Sequence, residues 1–93
     1  MIAPLKQPIN SKTIKVLPQE KEGSYQFSEK FVATRNAIEK LGEPVIFAAY
    51  TILQGEVKRK SGLDYLQVFE IDGQRLWFID DVSHVTCLLP EDY

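Results

Sequence analysis

One cysteine, one histidine, one methionine and one tryptophan among 93 residues leave few of the side chains on which protein chemistry usually runs. Cys87 stands alone, so no disulfide can form within the chain and nothing points to an oxidising compartment. A structural zinc site takes four ligands, and Cys87 with His84 supplies two. No Gly-rich phosphate loop, Walker motif, HExxH or GxSxG is present. Long apolar runs are missing too. The longest, Val45 to Leu53, has nine residues and contains Thr51, where a membrane helix needs ~20. Met1-Ile2-Ala3-Pro4-Leu5-Lys6 lacks the apolar core of a signal peptide. No internal repeat or low-complexity segment occurs. These absences predict a cytoplasmic protein with no membrane segment, no cofactor, no metal and no catalytic residue to name, hence not an enzyme.

What is present is an ordinary globular composition, 44% hydrophobic and 26% charged, in a length that suits one domain with a modest core. The net charge of −2 argues against a strongly basic nucleic-acid binder. The charge is unevenly spread. Residues 1–62 carry ten Lys/Arg and six Asp/Glu, a net +4, whereas residues 63–93 carry one Arg and seven Asp/Glu, a net −6. Either the two halves neutralise each other across one fold, or one copy pairs with another.

The strongest local signal is Leu63 to Asp81. Asp72-Gly73 separates two runs rich in Val, Ile, Phe, Tyr and Trp. A two-residue type I′ turn needs positive φ at both central positions, which Asp-Gly tolerates. The hairpin places Ile71 opposite Gln74, Phe69 opposite Leu76, and Gln67 opposite Phe78. Tyr65, Gln67, Phe69 and Ile71 fall on one face of the first arm, and Leu66, Val68 and Glu70 on the other. Leu76, Phe78 and Asp80 share a face of the second arm, opposite Arg75, Trp77 and Ile79. Both faces carry large apolar side chains and both are expected to be at least partly covered. A lone hairpin is unstable in water, so a third strand or a helix must pack on it.

The remainder of the chain divides into an extended, partly mobile arm over residues 1–23 and a single domain over residues 24–93. In the arm, Thr13 to Leu17 reads as an edge strand stopped by Pro18. Residues 28–42 read as a helix, with Ser28 as cap, a stripe of Phe27, Phe31, Thr34, Ile38 and Leu41, and Gly42 as stop. Val45 to Arg59 is ambiguous. Its β-branched and aromatic residues and Gly55 favour a strand; Pro44 at the start, Lys58-Arg59-Lys60 at the end and Gly62 beyond favour a helix. The residue types lean to strand. After a turn at Val82-Ser83, His84 to Leu89 reads as a last strand, ended by Pro90. The fold class is therefore α+β: one or two helices packed on an antiparallel sheet of three to five strands, with a C-terminal meander from Leu63 to Leu89.

Leu63-Asp64-Tyr65-Leu66-Gln67-Val68-Phe69-Glu70-Ile71 resembles a signature in a family of small bacterial and phage-associated proteins, a domain of unknown function. Trp77-Phe78-Ile79-Asp80-Asp81, followed by Thr86-Cys87-Leu88-Leu89-Pro90-Glu91-Asp92-Tyr93, resembles the end of such proteins, and Phe31 to Arg35 through Glu39-Lys40-Leu41 is a weaker echo. Together these cover about half of the chain. Two features depart from the pattern: Asp72-Gly73 joins the motifs directly where the family has an insertion, and Cys87 stands where Met is more usual. The resemblance implies a strand at Phe31–Arg35 and a helix over Pro44–Lys60. It carries no assigned activity.

Three functions follow as expectations. The first is a non-catalytic protein-binding or assembly module that works through the sheet, as a homodimer or with a protein partner, with Tyr65, Arg75 and Trp77 as interface candidates. The second is a nucleic-acid accessory in which Lys58, Arg59 and Lys60, joined by Arg35 and Lys40, form a basic patch near Tyr65 and Trp77. The third is a small enzyme using Asp80, Asp81 and His84. It is weakened because His84 and Cys87, three apart on a strand, point to opposite faces. The plainer reading makes Asp80 and Asp81 turn carboxylates, His84 a surface residue and Cys87 a small buried hydrophobe. Carboxylate pairs such as Asp64 with Glu70, or Asp80 with Glu91, have no separation that spacing alone can supply.

Overall fold

The computed structural model describes residues 13–19 and 21–93. Two helices pack on one side of a five-stranded, mostly antiparallel open sheet, an α+β arrangement. The strands are β1 (Ile14–Val16), β2 (Lys30–Ala33), β3 (Leu66–Ile71), β4 (Gln74–Asp80) and β5 (His84–Leu88); the helices are α1 (Arg35–Leu41) and α2 (Glu43–Lys60). The order across the sheet is β1-β3-β4-β5-β2. β2 pairs parallel to β5 and every other neighbour is antiparallel.

The β3–β4 hairpin has the expected register, with Ile71 opposite Gln74, Phe69 opposite Leu76 and Gln67 opposite Phe78. Asp72 and Gly73 both take positive φ, 49° and 87°, as a type I′ turn demands. β5 completes the meander, and Pro90–Asp92 turns the chain away in one 3-10 turn. The Thr13–Leu17 expectation is met by β1, an edge strand on β3. The expectation of a mobile arm over 1–23 falls in part on residues 1–12 and 20, outside the described residues.

Two expectations are corrected. Residues 28–42 are not one helix capped by Ser28. Lys30–Ala33 is extended and joins β5, and the helix begins only after Thr34, whose Oγ1 accepts the Ala37 N–H at 3.1 Å. The spacing of Phe27, Phe31, Ile38 and Leu41 imitates a helical stripe because strand alternation and a later helix both aim apolar side chains at one core. Phe31 stacks on Tyr50 with ring centroids 4.3 Å apart. Val45 to Arg59 is not a strand either; it is the body of α2. Val45, Ala49, Leu53 and Val57 recur every four residues and are all buried, with Ile46 beside them. Pro44 sits in the first turn, Lys58 to Lys60 close the last, and Ser61 takes a left-handed φ of 59° at the C-cap. Gly55 lies on the outer face with open space around it, so it gives up about 1 kcal/mol of helix propensity without disturbing packing. Tertiary packing of a continuous buried stripe outweighs the preference of Val, Ile, Phe and Thr for strands.

The core lies between the helices and one sheet face. Phe69, Phe78, Leu76, Ile71, Val85 and Cys87 meet Ala37, Leu41, Val45, Ala49, Leu53 and Val57. Phe69 and Phe78 stand edge to face at 5.2 Å. The side opposite the helices has no helix or second sheet over it among the described residues; it is covered only in part, with Tyr93 against Trp77 and Leu88 6% exposed.

Candidate functional site

Strand alternation sorts the side chains of the uncovered face into rows that follow the observed register. Lys15, Glu70 and Arg75 form the row at one end. Val68, Trp77 and Leu88 form the next, then Leu66, Ile79, Thr86 and Val32. His84 and Lys30 lie side by side at the other end. The centre is apolar and the ends are charged, which is the usual layout of a protein-binding patch. Leu66, Val68, Trp77 and Ile79 are half-buried, Leu88 is buried, and Val32 is 36% exposed. Tyr93 folds back onto the same face, its ring edge-on to Trp77 at 5.7 Å. Beside β3 the face dips into an open groove of about 370 Å³ between Leu17, Pro18 and Lys21 on one wall and Leu66, Val68 and Arg75 on the other.

Of the interface candidates, Trp77 and Arg75 therefore share the open face. Arg75 makes a loose ion pair with Glu70 at 3.9 Å across the strands, of a kind worth at most about 1 kcal/mol. Tyr65 lies just before β3, is half-exposed, and meets the ring of Tyr25 edge-on at 6.3 Å.

The basic candidates are not assembled into one patch. Lys58, Arg59 and Lys60 are exposed at the C-terminal end of α2, on the opposite side of the sheet from Trp77. Arg59 is held by Glu56 at 2.7 Å, which pulls the Glu56 carboxyl below its ordinary range. Arg35 and Lys40 belong to α1, next to the other end of α2.

Asp80, Asp81 and His84 do not share a pocket. Asp80 points to the helix side and is buried, 2% exposed. It is a turn carboxylate, as expected, and also a buried structural one: its Oδ1 accepts the Val82 N–H two residues on and its Oδ2 the distant Phe27 N–H, each at 2.9 Å. Asp81 stays outside, where its Oδ1 accepts the N–H groups of Ser83 (3.0 Å) and His84 (2.8 Å). Those bonds, the His84 one foremost, hold its carboxyl below the usual range. His84 projects to the open face and Cys87 to the core, where burial pushes the thiol up to about 12. Glu91 follows β5 on the surface, away from buried Asp80, while Asp64 and Glu70 lie at opposite ends of β3. Among the described residues, no group of three or more His, Cys, Asp or Glu side chains is placed to hold a metal ion.

A polar node that spacing did not suggest ties the β4–β5 end to the segment before β2. Phe27 is fully buried with a positive φ of 53°. Its carbonyl accepts from the Tyr50 hydroxyl at 3.2 Å and from the Gln54 amide. Glu29 lies against Asp80, and its Oε1 is buried with no hydrogen-bond partner among the described residues. The side-chain interaction with Asp80, with burial second, raises the Glu29 carboxyl above its ordinary value of 4.5.

Compared with family models, with curated proteins and with solved structures, the chain matches none.

Proposed function

We propose that this chain is a non-catalytic assembly module that associates with a second copy of itself through its sheet. One observation carries the reading: both helices lie on the same side of five strands, so among the described residues the other side, centred on Trp77, Val68, Leu66 and Ile79, is left without a covering layer. An apolar sheet face rimmed by charge is costly to leave in water and useful as a contact surface. The charge distribution supports the same reading, because an N-terminal part of +4 and a C-terminal part of −6 favour reciprocal contacts between the basic part of one copy and the acidic part of the other.

The test is solution mass by light scattering at low and at moderate salt. A dimer is expected. A monomer at all concentrations up to the millimolar range would overturn the reading.

A further inference from the structure

We infer that the second copy joins at the edge of β2, which is free among the described residues, in an antiparallel β2–β2 pairing centred on Val32 that fuses two five-stranded sheets into one of ten strands. This rests on the reading of the chain as a self-associating module and places the contact at the edge; the open faces of the two copies are then joined side by side into one surface rather than buried.

The hydrogen bonding sets which groups are available. Thr34 donates its N–H to the Cys87 carbonyl at 2.9 Å, and Ala33 is the residue aligned with Cys87. Along a strand the N–H and C=O groups of successive residues point to opposite sides. Lys30, Val32 and Thr34 therefore turn toward β5, and Phe31 and Ala33 turn their backbone groups to the free edge. A row of unpaired N–H and C=O groups is a template for another strand.

The edge is complementary to itself. With the two-fold axis through Val32, Phe31 of one copy meets Ala33 of the other as a hydrogen-bonded pair, and Ala33 meets Phe31 in turn, so all four outward residues are satisfied. Moving the axis to Phe31 or Ala33 would demand bonding from Glu29 or Arg35, which lie outside the strand. The side chains agree with this register. Lys30 of each copy falls opposite Thr34 of the other rather than opposite Lys30. Thr34 already holds the Asp92 carboxylate, its Oγ1 donating to Asp92 Oδ2 at 2.7 Å while Asn36 donates to Oδ1 at 2.9 Å. Neither Lys30 nor Asp92 has an ionic partner among the described residues. The pairing brings the Lys30 ammonium of one copy to the Asp92 carboxylate of its mate, twice over, and this is the contact between the basic and acidic parts of the sequence. Under the strands, Phe47 is 66% exposed on α2 beside an apolar groove of about 230 Å³ lined by Phe31, Ala33, Ile38, Ile46 and Glu43. The same axis lays the two Phe47 rings toward each other's groove.

Val32 provides a specific test. In the centred register the two Val32 residues form a non-hydrogen-bonded pair, whose Cα atoms sit about 4.5 Å apart, within disulfide reach. Val32→Cys in the full chain, under mild oxidation, is expected to give a disulfide-linked dimer on a non-reducing gel, with Cys87 buried and taking no part. Val32→Lys, which places like charges opposite each other on the axis, is expected to halve the solution mass while the circular dichroism stays that of the wild type. A wild-type dimer in which Val32→Cys fails to cross-link and Val32→Lys remains dimeric would overturn the β2 edge and leave self-association through the open face. A wild-type monomer would overturn the self-association reading itself.

Discussion

At the scale of single residues, the pairing of Glu29 with Asp80 has the clearest consequence. The Glu29 carboxyl is raised above 4.5 by its hydrogen bond to Asp80 and by burial. The folded protein therefore binds this proton more tightly than the unfolded chain does. Its contribution is fully present below the unfolded value and is lost as pH rises through the folded one. Glu29→Gln keeps a donor for Asp80 without a titrating group. It is expected to raise the melting temperature at pH 7 and to flatten the decline in stability above pH about 4.5 expected of the wild type, as read by thermal denaturation across a pH series. Equal pH dependence in the two proteins would show that the pair is not sharing a proton. Little of this was legible in the sequence. The three-residue spacing of His84 and Cys87 correctly placed them on opposite faces, because alternation is a local rule. Nothing local could say that Asp80 is buried beneath a left-handed Phe27, since the two residues are brought together only by tertiary structure.

At the scale of elements, the hairpin was readable down to its register, because Asp72-Gly73 and period-two alternation act over a few residues. The helices were less so. Val45 to Leu53 is apolar enough to suit either state, and what decided it was the presence of a sheet to bury Val45, Ala49, Leu53 and Val57 together. Of the strand at Phe31–Arg35 implied by the family resemblance, Phe31 to Ala33 is extended while Arg35 opens α1; the helix over Pro44–Lys60 implied by it agrees with α2. The boundary between β2 and α1 depends on Thr34, which caps the helix and also anchors Asp92. Thr34→Ala removes the acceptor for Ala37 N–H, and a lost cap of this type costs about 1 kcal/mol, range 0.5–2. A lower melting temperature is expected, with the far-ultraviolet spectrum kept. An unchanged melting temperature would mean that the cap contributes nothing to this short helix.

For the whole molecule, the fold class and the meander could be read in advance, whereas the position of β2 could not. It lies next to β5, the last strand, and at the far edge from β1. The charge imbalance was visible, but only the fold shows Lys30 and Asp92 standing near the same edge. Cys87 gives a measure of integrity for the entire structure. It is fully buried, with its thiol pushed up to about 12, so it reacts only when the core opens. Labelling by a thiol reagent is expected to be slow in native buffer and to accelerate with denaturant in parallel with global unfolding. Rapid labelling of the native protein would reveal a local opening at β5.

The strand order also bears on synthesis. Lys30 pairs with His84 and Ile14 with Ile71, each pair separated by more than fifty residues. A ribosome releases both edge strands and both helices before the hairpin that will receive them. Until β3, β4 and β5 follow, the apolar stripe of α2 has no sheet to lie on, and the nascent chain carries its future core uncovered. The meander, whose contacts are local, can then form quickly once it emerges and gather the waiting elements around it.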